Sequence, residues 1–280
     1  MIAATFNING MNARLGFVQH WLAARRPDVV ALQELKLEEI KFPFEKLAHA
    51  GYRSVVHGQK SWNGVALLVR ESFGTVAAEQ VGLPGAEDQG SRLLAARVRP
   101  HDHPPFTAVS VYVPNGKTVA APDFGAKLRW LDALDAYLRA PLAADEPLLV
   151  AGDFNLCPGA GDSWNEERFA GHIFHTDEER ARYRSLERAG LGERHGGGDI
   201  ALERVVGAGL IGDDIGDDAA RDQLGEDLGG VADEADAQGF ALLLGLHDPV
   251  EGLVEIMGHL VEVARLDATR DARLIDVDAE

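Results

Sequence analysis

A chain of 280 residues, 46% of them apolar, can bury one large core or two ordinary ones, and no apolar run approaches the length of a membrane span. The single Cys157 excludes an intrachain disulfide framework and fits a reducing, cytoplasmic setting, while Met1 to Asn7 reads as a strand and not as a signal peptide. The formal charge of −18 is unevenly spread: residues 1–194 hold 22 Lys/Arg against 24 Asp/Glu, whereas 195–280 hold 5 Arg, no Lys and 21 Asp/Glu. The first part can therefore carry a local basic face for a polyanion, which the acidic last third would repel.

Residues 2–8 predict a buried first strand that exits through Asn7-Ile8-Asn9-Gly10. From Asn12 to Arg25 the apolar residues Leu15, Val18, Trp21 and Leu22 recur at helical spacing, with Asn12 as the expected N-cap and Pro27 beyond the end. Val29 to Gln33 is the next strand and ends at Glu34, giving the strand–helix–strand opening of a layered α/β domain. After a helix near 39–49, strands are expected at 53–57, 65–69, 75–80, 93–98 and 107–112, separated by Gly, Pro, Asn and Asp as in antiparallel sheets. Leu128, Leu131, Leu134, Tyr137 and Leu138 form one stripe of a helix over 124–138. The run from Pro147 to Val150 then leads a buried strand into Gly152-Asp153-Phe154-Asn155. A further helix over 176–189 opens with Thr176-Asp177-Glu178-Glu179, acids suited to the positive end of a helix dipole. Beyond residue 190 the texture becomes acidic and rich in Gly and Asp, with one amphipathic stretch over 253–264, so 192–280 is expected to be partly helical or disordered.

Four of these segments end apolar runs in polar side chains: Asn7, Glu34, Tyr112 with Asn115, and Asp153 with Asn155. If the strands lie side by side, those ends form one rim. An Asx turn closing a strand would use the same residue types as Asp153 and Asn155, so the tetrapeptide alone leaves both readings open. Asn7, Glu34 and Asp153 offer only oxygen ligands, which favours a hard cation such as Mg²⁺ or Mn²⁺ over zinc.

Five motifs occur in order along the chain: Phe6-Asn7-Ile8-Asn9-Gly10, Leu32-Gln33-Glu34-Leu35-Lys36, Asn63-Gly64-Val65-Ala66, Tyr112-Val113-Pro114-Asn115-Gly116 and Gly152-Asp153-Phe154-Asn155. Together they resemble the endonuclease/exonuclease/phosphatase superfamily, and specifically its exonuclease III-like, AP-endonuclease branch. Lys127-Leu128-Arg129-Trp130 and Thr176-Asp177-Glu178-Glu179-Arg180 extend the likeness, which covers residues 1–191. The resemblance implies a four-layer α/β sandwich of two packed mixed sheets, incomplete at its C-terminal end, with the site at one edge. It also implies metal-dependent hydrolysis of phosphodiesters in DNA, by a monomer acting on abasic or 3′-end-containing duplex. By the same resemblance Glu34 binds the metal assisted by Asn7, Asp153 orients or deprotonates the attacking water, Asn155 holds the scissile phosphate, and Tyr112 hydrogen-bonds it or helps the leaving oxygen. Asn115 joins the substrate contacts, and Lys36, Arg92 and Lys117 are expected along the phosphate backbone.

Members of this family complete the site from their last third with an Arg-Ile-Asp segment and a Ser-Asp-His-Xaa-Pro-Val segment. Residues 195–280 contain neither. His247-Asp248-Pro249-Val250 transposes the order, Leu274-Ile275-Asp276 comes too late, and Asp102-His103 lies in a Pro-rich turn between middle strands. The abrupt composition change suggests that the last third is read in a different frame, which sequencing of the locus tests. Two other readings therefore stand beside a nuclease: a catalytically silent binding protein, and a small-molecule phosphodiesterase or phosphatase on the same scaffold.

Overall fold

The computed structural model describes residues 1–144, 147–163, 165–191 and the segments 202–205 and 264–265, in which the apolar runs pair into two mixed sheets. The first contains β1 (Ile2–Asn7), β2 (Val29–Gln33), β3 (Tyr52–His57) and β4 (Val65–Arg70), and the second contains β5 (Gly74–Val81), β6 (Leu93–Pro100), β7 (Phe106–Tyr112) and β8 (Leu148–Asp153). Two short strands from the acidic last third join them: β9 (Leu202–Val205) lies parallel to β8, and β10 (Ala264–Arg265) lies antiparallel to β1. The orders are β10-β1-β2-β4-β3 and β5-β6-β7-β8-β9. Ala264 thus pairs as a strand residue, where the sequence placed the end of a helical stripe; the rest of that stripe, with His247 and Asp276, lies outside the described residues.

The four helices of at least six residues that matter here are α1 (Met11–Arg25), α2 (Phe44–His49), α3 (Pro122–Ala143) and, after the single turn α4 (Glu166–Phe169), α5 (Asp177–Arg188). Between the sheets lies an apolar layer in which Ala3, Val29, Ala31, Leu67 and Val69 meet Leu94, Ala96, Val98, Ala108, Leu149 and Ala151. The alternate residues of the second sheet, among them Leu93, Val109, Val111 and Val150, pack instead against Trp130, Leu131, Leu134 and Leu138 of α3 and Tyr183 and Leu186 of α5. On the first sheet α1 buries Met11, Val18, Trp21 and Leu22, and Phe17 meets Phe6 of β1 edge-to-face at 6.0 Å. Helices, sheet, sheet, helices make the four layers expected. The period-2 alternation sends successive side chains into different layers, so a strand buried on both faces reads as a nearly continuous apolar run.

A polar chain of three side chains crosses this apolar layer between the sheets. Thr5 Oγ1 donates to Gln33 Oε1 at 3.2 Å, Gln33 Nε2 donates to Ser110 Oγ at 3.3 Å, and Ser110 Oγ donates to the Leu32 carbonyl at 3.4 Å. All three side chains are buried. Below them, packing is so close that a Cβ on Gly152 would stand 2.0 Å from the Val111 carbonyl oxygen.

The expected N-cap moves back by two residues. Asn12 lies inside α1, and the cap is Gly10 with φ 107°, a left-sided conformation open to glycine at little cost. By contrast Thr176 caps α5 as its sequence predicts, in a reciprocal capping box with Glu179.

Candidate active site

Strands β1 and β2 are parallel, as are β7 and β8, so each pair delivers its carboxyl ends to the same edge. That edge carries Asn7, Glu34, Tyr112 and Asp153. The backbone lattice continues past the strands there: Ile8 N donates to the Gln33 carbonyl at 3.0 Å, Gly10 N to Glu34 at 2.8 Å, Leu35 N to Gly64 at 3.1 Å, and Val113 N to Asp153 at 2.9 Å. Loops tied together in this way hold their side chains to a fixed rim.

The four side chains meet directly. Asn7 Nδ2 donates at 2.9 Å both to Glu34 Oε1 and to Asp153 Oδ2, so one amide bridges the two carboxylates and the two sheets. Tyr112 Oη donates to the same Glu34 Oε1 at 2.8 Å. Asp153 Oδ1 accepts the Asn155 backbone N–H at 3.0 Å, and Asn155 Nδ2 donates to the Val113 carbonyl at 2.8 Å. A local Asx-type contact is therefore present at Asp153, but its other oxygen is committed across the rim to β1. Several of these residues sit in the left-handed region unusual for side chains other than glycine: Asn9, Glu34, Lys36, Asn63, Lys117 and Asn155 have φ between 44° and 59°. Such strain clusters at functional sites because the surroundings must over-determine it.

The two carboxylates are pushed apart electrostatically. Burial raises Asp153 above the ordinary carboxylate range, and Glu34 raises it further, against the lowering effects of Asn7, the Asn155 N–H and Lys127. Burial would raise Glu34 as well, but hydrogen bonds from Asn7, Tyr112 and Lys36, with the charge of Lys36, hold it below that range. Burial, Glu34 and Asp153 push the Tyr112 phenol upward, keeping it a proton donor. One rim thus holds a firmly ionised carboxylate beside one that takes a proton readily, the separation of roles that acid–base chemistry uses.

The expected phosphate-contacting cations fall in three different places. Lys36 Nζ stands 3.0 Å from Glu34 Oε2 and also reaches Asn9 Oδ1. Arg92 lies behind Tyr112, its guanidinium 4.7 Å from the ring centroid and bonded to the Tyr112 and Gln89 carbonyls, so it supports the tyrosine. Lys117 is exposed and pairs with Asp123 at 3.0 Å. Asn115 Oδ1 accepts the Lys117 N–H at 2.9 Å, closing the turn after β7. Asp102 and His103 lie in the turn between β6 and β7, at the end of the sheet away from Tyr112.

A carboxylate that receives the Lys36 ammonium at Glu34 Oε2, with the Asp153 carboxylate beside it, has the donor chemistry for Mg²⁺ or Mn²⁺. Asn7 presents its nitrogen to both carboxylates and its Oδ1 to the Asn9 N–H at 3.1 Å, so it fits as the group that orients Glu34. Among the described residues no three His, Cys, Asp or Glu side chains cluster to hold a metal. A hard cation held by one or two carboxylates and several waters fits that donor set.

Sequence reasoning gave little weight to Lys127 and Glu179, both 0% exposed and 2.5 Å apart. Lys127 Nζ also donates to the carbonyls of Asn115, at 3.2 Å, and Asn155. The signal was present: Phe124, Lys127, Leu131, Leu134 and Leu138 share one helical face, and a lysine on a buried face requires partners.

A profile of the Endonuclease/Exonuclease/phosphatase family matches residues 4–220, beyond the 1–191 span expected from motifs alone. The chain is 33% identical over 196 residues to exodeoxyribonuclease III of Haemophilus influenzae, covering 67% of this chain and 72% of that one. It is 27% identical over 224 residues to an exodeoxyribonuclease of Streptococcus pneumoniae, covering 70% and 77%. Among solved structures it resembles a variant of the 3′ phosphatase NExo from Neisseria bound to a product DNA hairpin, with TM-score 0.62, 34% identity and coverage of 69% and 72%. An AP endonuclease from Archaeoglobus fulgidus is similar at TM-score 0.61 and 29% identity, with the same coverage. No helix among the described residues is long and apolar enough to cross a membrane. With its two-sheet sandwich, its rim of Asn7, Glu34, Tyr112 and Asp153, and these relatives, the chain belongs to the endonuclease/exonuclease/phosphatase family, among whose matched members are exodeoxyribonucleases and an AP endonuclease.

Proposed function

We propose that this chain is an exonuclease III-like phosphodiester hydrolase acting on DNA, dependent on Mg²⁺ or Mn²⁺, with abasic sites or 3′ ends of duplexes as substrate. One observation carries the reading: a single Asn7 amide joins Glu34 to Asp153 while Tyr112 binds the same Glu34 oxygen. The named activities of the Haemophilus, Neisseria and Archaeoglobus relatives support it.

In this reading Glu34, kept ionised and oriented by Asn7 and Tyr112, holds the cation, and a bound cation supplies Lewis-acid polarisation of a phosphoryl oxygen. Asp153, at the end of β8, accepts a proton from the attacking water; burial makes it a stronger base than an ordinary carboxylate. Asn7 and the Asn155 N–H keep its two oxygens aimed while it does so. The Asn155 amide, anchored on Val113, presents its remaining N–H to the scissile phosphate. The Tyr112 hydroxyl, supported from behind by Arg92, donates to a phosphate oxygen. Lys36 reaches the DNA backbone when displaced from Glu34, and Lys117 and Asn115 meet it further out.

The test is incision of a duplex containing one abasic site, and of one with a 3′ phosphate, by purified protein with Mg²⁺ and with an Asp153→Ala control. Incision that is lost in the control supports the nuclease. No incision by the wild-type chain, with metal binding retained, supports the catalytically silent alternative instead.

A further inference from the structure

We propose that Lys127 is a positioning residue: its buried ammonium spaces the Asn115 and Asn155 loops by binding one main-chain carbonyl from each. This rests on the reading that those two asparagines face the substrate phosphates. An ammonium has three N–H donors. Here they go to three separate segments: the Asn115 carbonyl at 3.2 Å after β7, the Asn155 carbonyl after β8, and Glu179 Oε1 at 2.5 Å on α5. The Phe174 ring closes the fourth side, its centroid 4.7 Å from Nζ. Glu179 is itself saturated, taking the Phe174 N–H at 3.2 Å on Oε1 and, on Oε2, the Thr176 N–H at 3.1 Å and hydroxyl at 2.7 Å.

Stability alone does not call for this arrangement, since apolar residues of similar volume commonly replace a buried ion pair at no loss. Apolar contact is non-directional, however, and cannot fix where two polar loops sit relative to each other. The loops need such fixing, because Lys117 and Asn155 are both held in the left-handed region, at φ 57° and 47°. The first loop also rests on the lysine stem: a Cβ on Gly116, at φ 88°, would stand 2.9 Å from Lys127 Cδ. A displacement of about 1 Å at a reacting group can cost about 10²-fold in rate, so the spacer acts on turnover without touching substrate.

Two variants separate spacing from stability. Lys127→Met/Glu179→Gln removes both charges, leaving no unpaired buried ion, while Glu179→Gln alone keeps the lysine donors on both carbonyls. Hydrogen–deuterium exchange on the full chain is expected to quicken about tenfold or more at 115–117 and 155–157 in the double variant, with β7 and β8 unchanged. Glu179→Gln is expected to keep both loops slow. Unchanged loops in the double variant, or equal quickening across β7 and β8, overturn the proposal. If the double variant does not fold, Lys127→Gln/Glu179→Gln replaces it; its one shorter amide is expected to release one loop, and release of neither overturns the proposal.

With abasic duplex and Mg²⁺, the double variant is expected to lose about ten- to a hundredfold in kcat with KM within about threefold. Asn155→Ala, costly in the wild type, is then expected to add little in that background, and fully additive costs overturn the positioning role. Should Asn155→Ala leave wild-type cleavage intact, the assigned role of Asn155 fails, while the exchange result still decides that of Lys127.

Discussion

Replacing Asn7 with alanine removes the donor shared by Glu34 and Asp153, and the effect should depend on pH. Both lost bonds are 2.9 Å contacts to carboxylates, and Asn7 is half-buried, so water recovers part of each. A hydrogen bond to a charged group contributes about 1.5–3 kcal/mol. At about 1.4 kcal/mol per tenfold, losing one of them at Asp153 disfavours its ionised form by about ten- to a hundredfold. The sign follows from the native state: Asp153 is already raised by burial, Asn7 lowers it, and the ionised form is the base. The acid limb of kcat/KM for duplex cleavage should therefore move to higher pH. On the acid side of that limb the variant should lose about ten- to a hundredfold, and the loss should shrink as pH rises until Asp153 is ionised in both proteins. The assay is initial-rate cleavage of abasic duplex across that limb at saturating Mg²⁺. A loss of equal size at every pH would refute the reasoning, since it would mean that Asn7 does not act through ionisation.

Glu34→Gln should weaken Mn²⁺ binding about tenfold or more by titration, about 1.4 kcal/mol, while far-ultraviolet circular dichroism stays unchanged. Because Glu34 is held below its ordinary range, its contribution to stability is present above that range and lost as pH falls through the lowered value. Acid denaturation of Glu34→Gln should accordingly show a shallower pH dependence than the wild type. Gly152→Ala should give no soluble folded protein, because the added methyl meets the Val111 carbonyl oxygen at 2.0 Å and neither strand can yield. Tyr52→Phe removes a buried 2.8 Å bond to the Pro27 carbonyl and should cost about 1 kcal/mol, lowering Tm by about 2–4 °C in a scanning calorimeter.

Most strands were legible because they are buried on one or both faces, and burial writes itself as apolar runs ended by turn residues; the largely exposed β5 was legible from its flanking turn residues instead. The meeting of Asn7, Glu34, Tyr112 and Asp153 was legible as order along the chain. Their contacts were not, since these depend on which strands run parallel and on how two sheets face each other. The different settings of the three cations were not legible: Lys36, Arg92 and Lys117 look alike as letters, yet one pairs with Glu34, one stacks on Tyr112 and one is exposed beside Asp123. The left-handed backbone at Glu34 left no trace at all, because glutamate has no preference for it. Asn12 was misread as a cap since Asn is a common cap, whereas the sharp exit from β1 needed Gly10.

The polar chain through Thr5, Gln33 and Ser110 has a mechanical consequence for the rim. Two sheets meeting only through aliphatic side chains can slip by a fraction of a residue at little cost in contact area. A hydrogen-bonded peg through the layer gives that sliding coordinate a single minimum. Gln33 immediately precedes Glu34, and Ser110 lies two residues before Tyr112 on the same strand. The peg therefore works as an alignment pin at the hinge of a caliper, set one step behind its jaws. The 2.8 Å closure of Tyr112 on Glu34 inherits its tolerance from that pin.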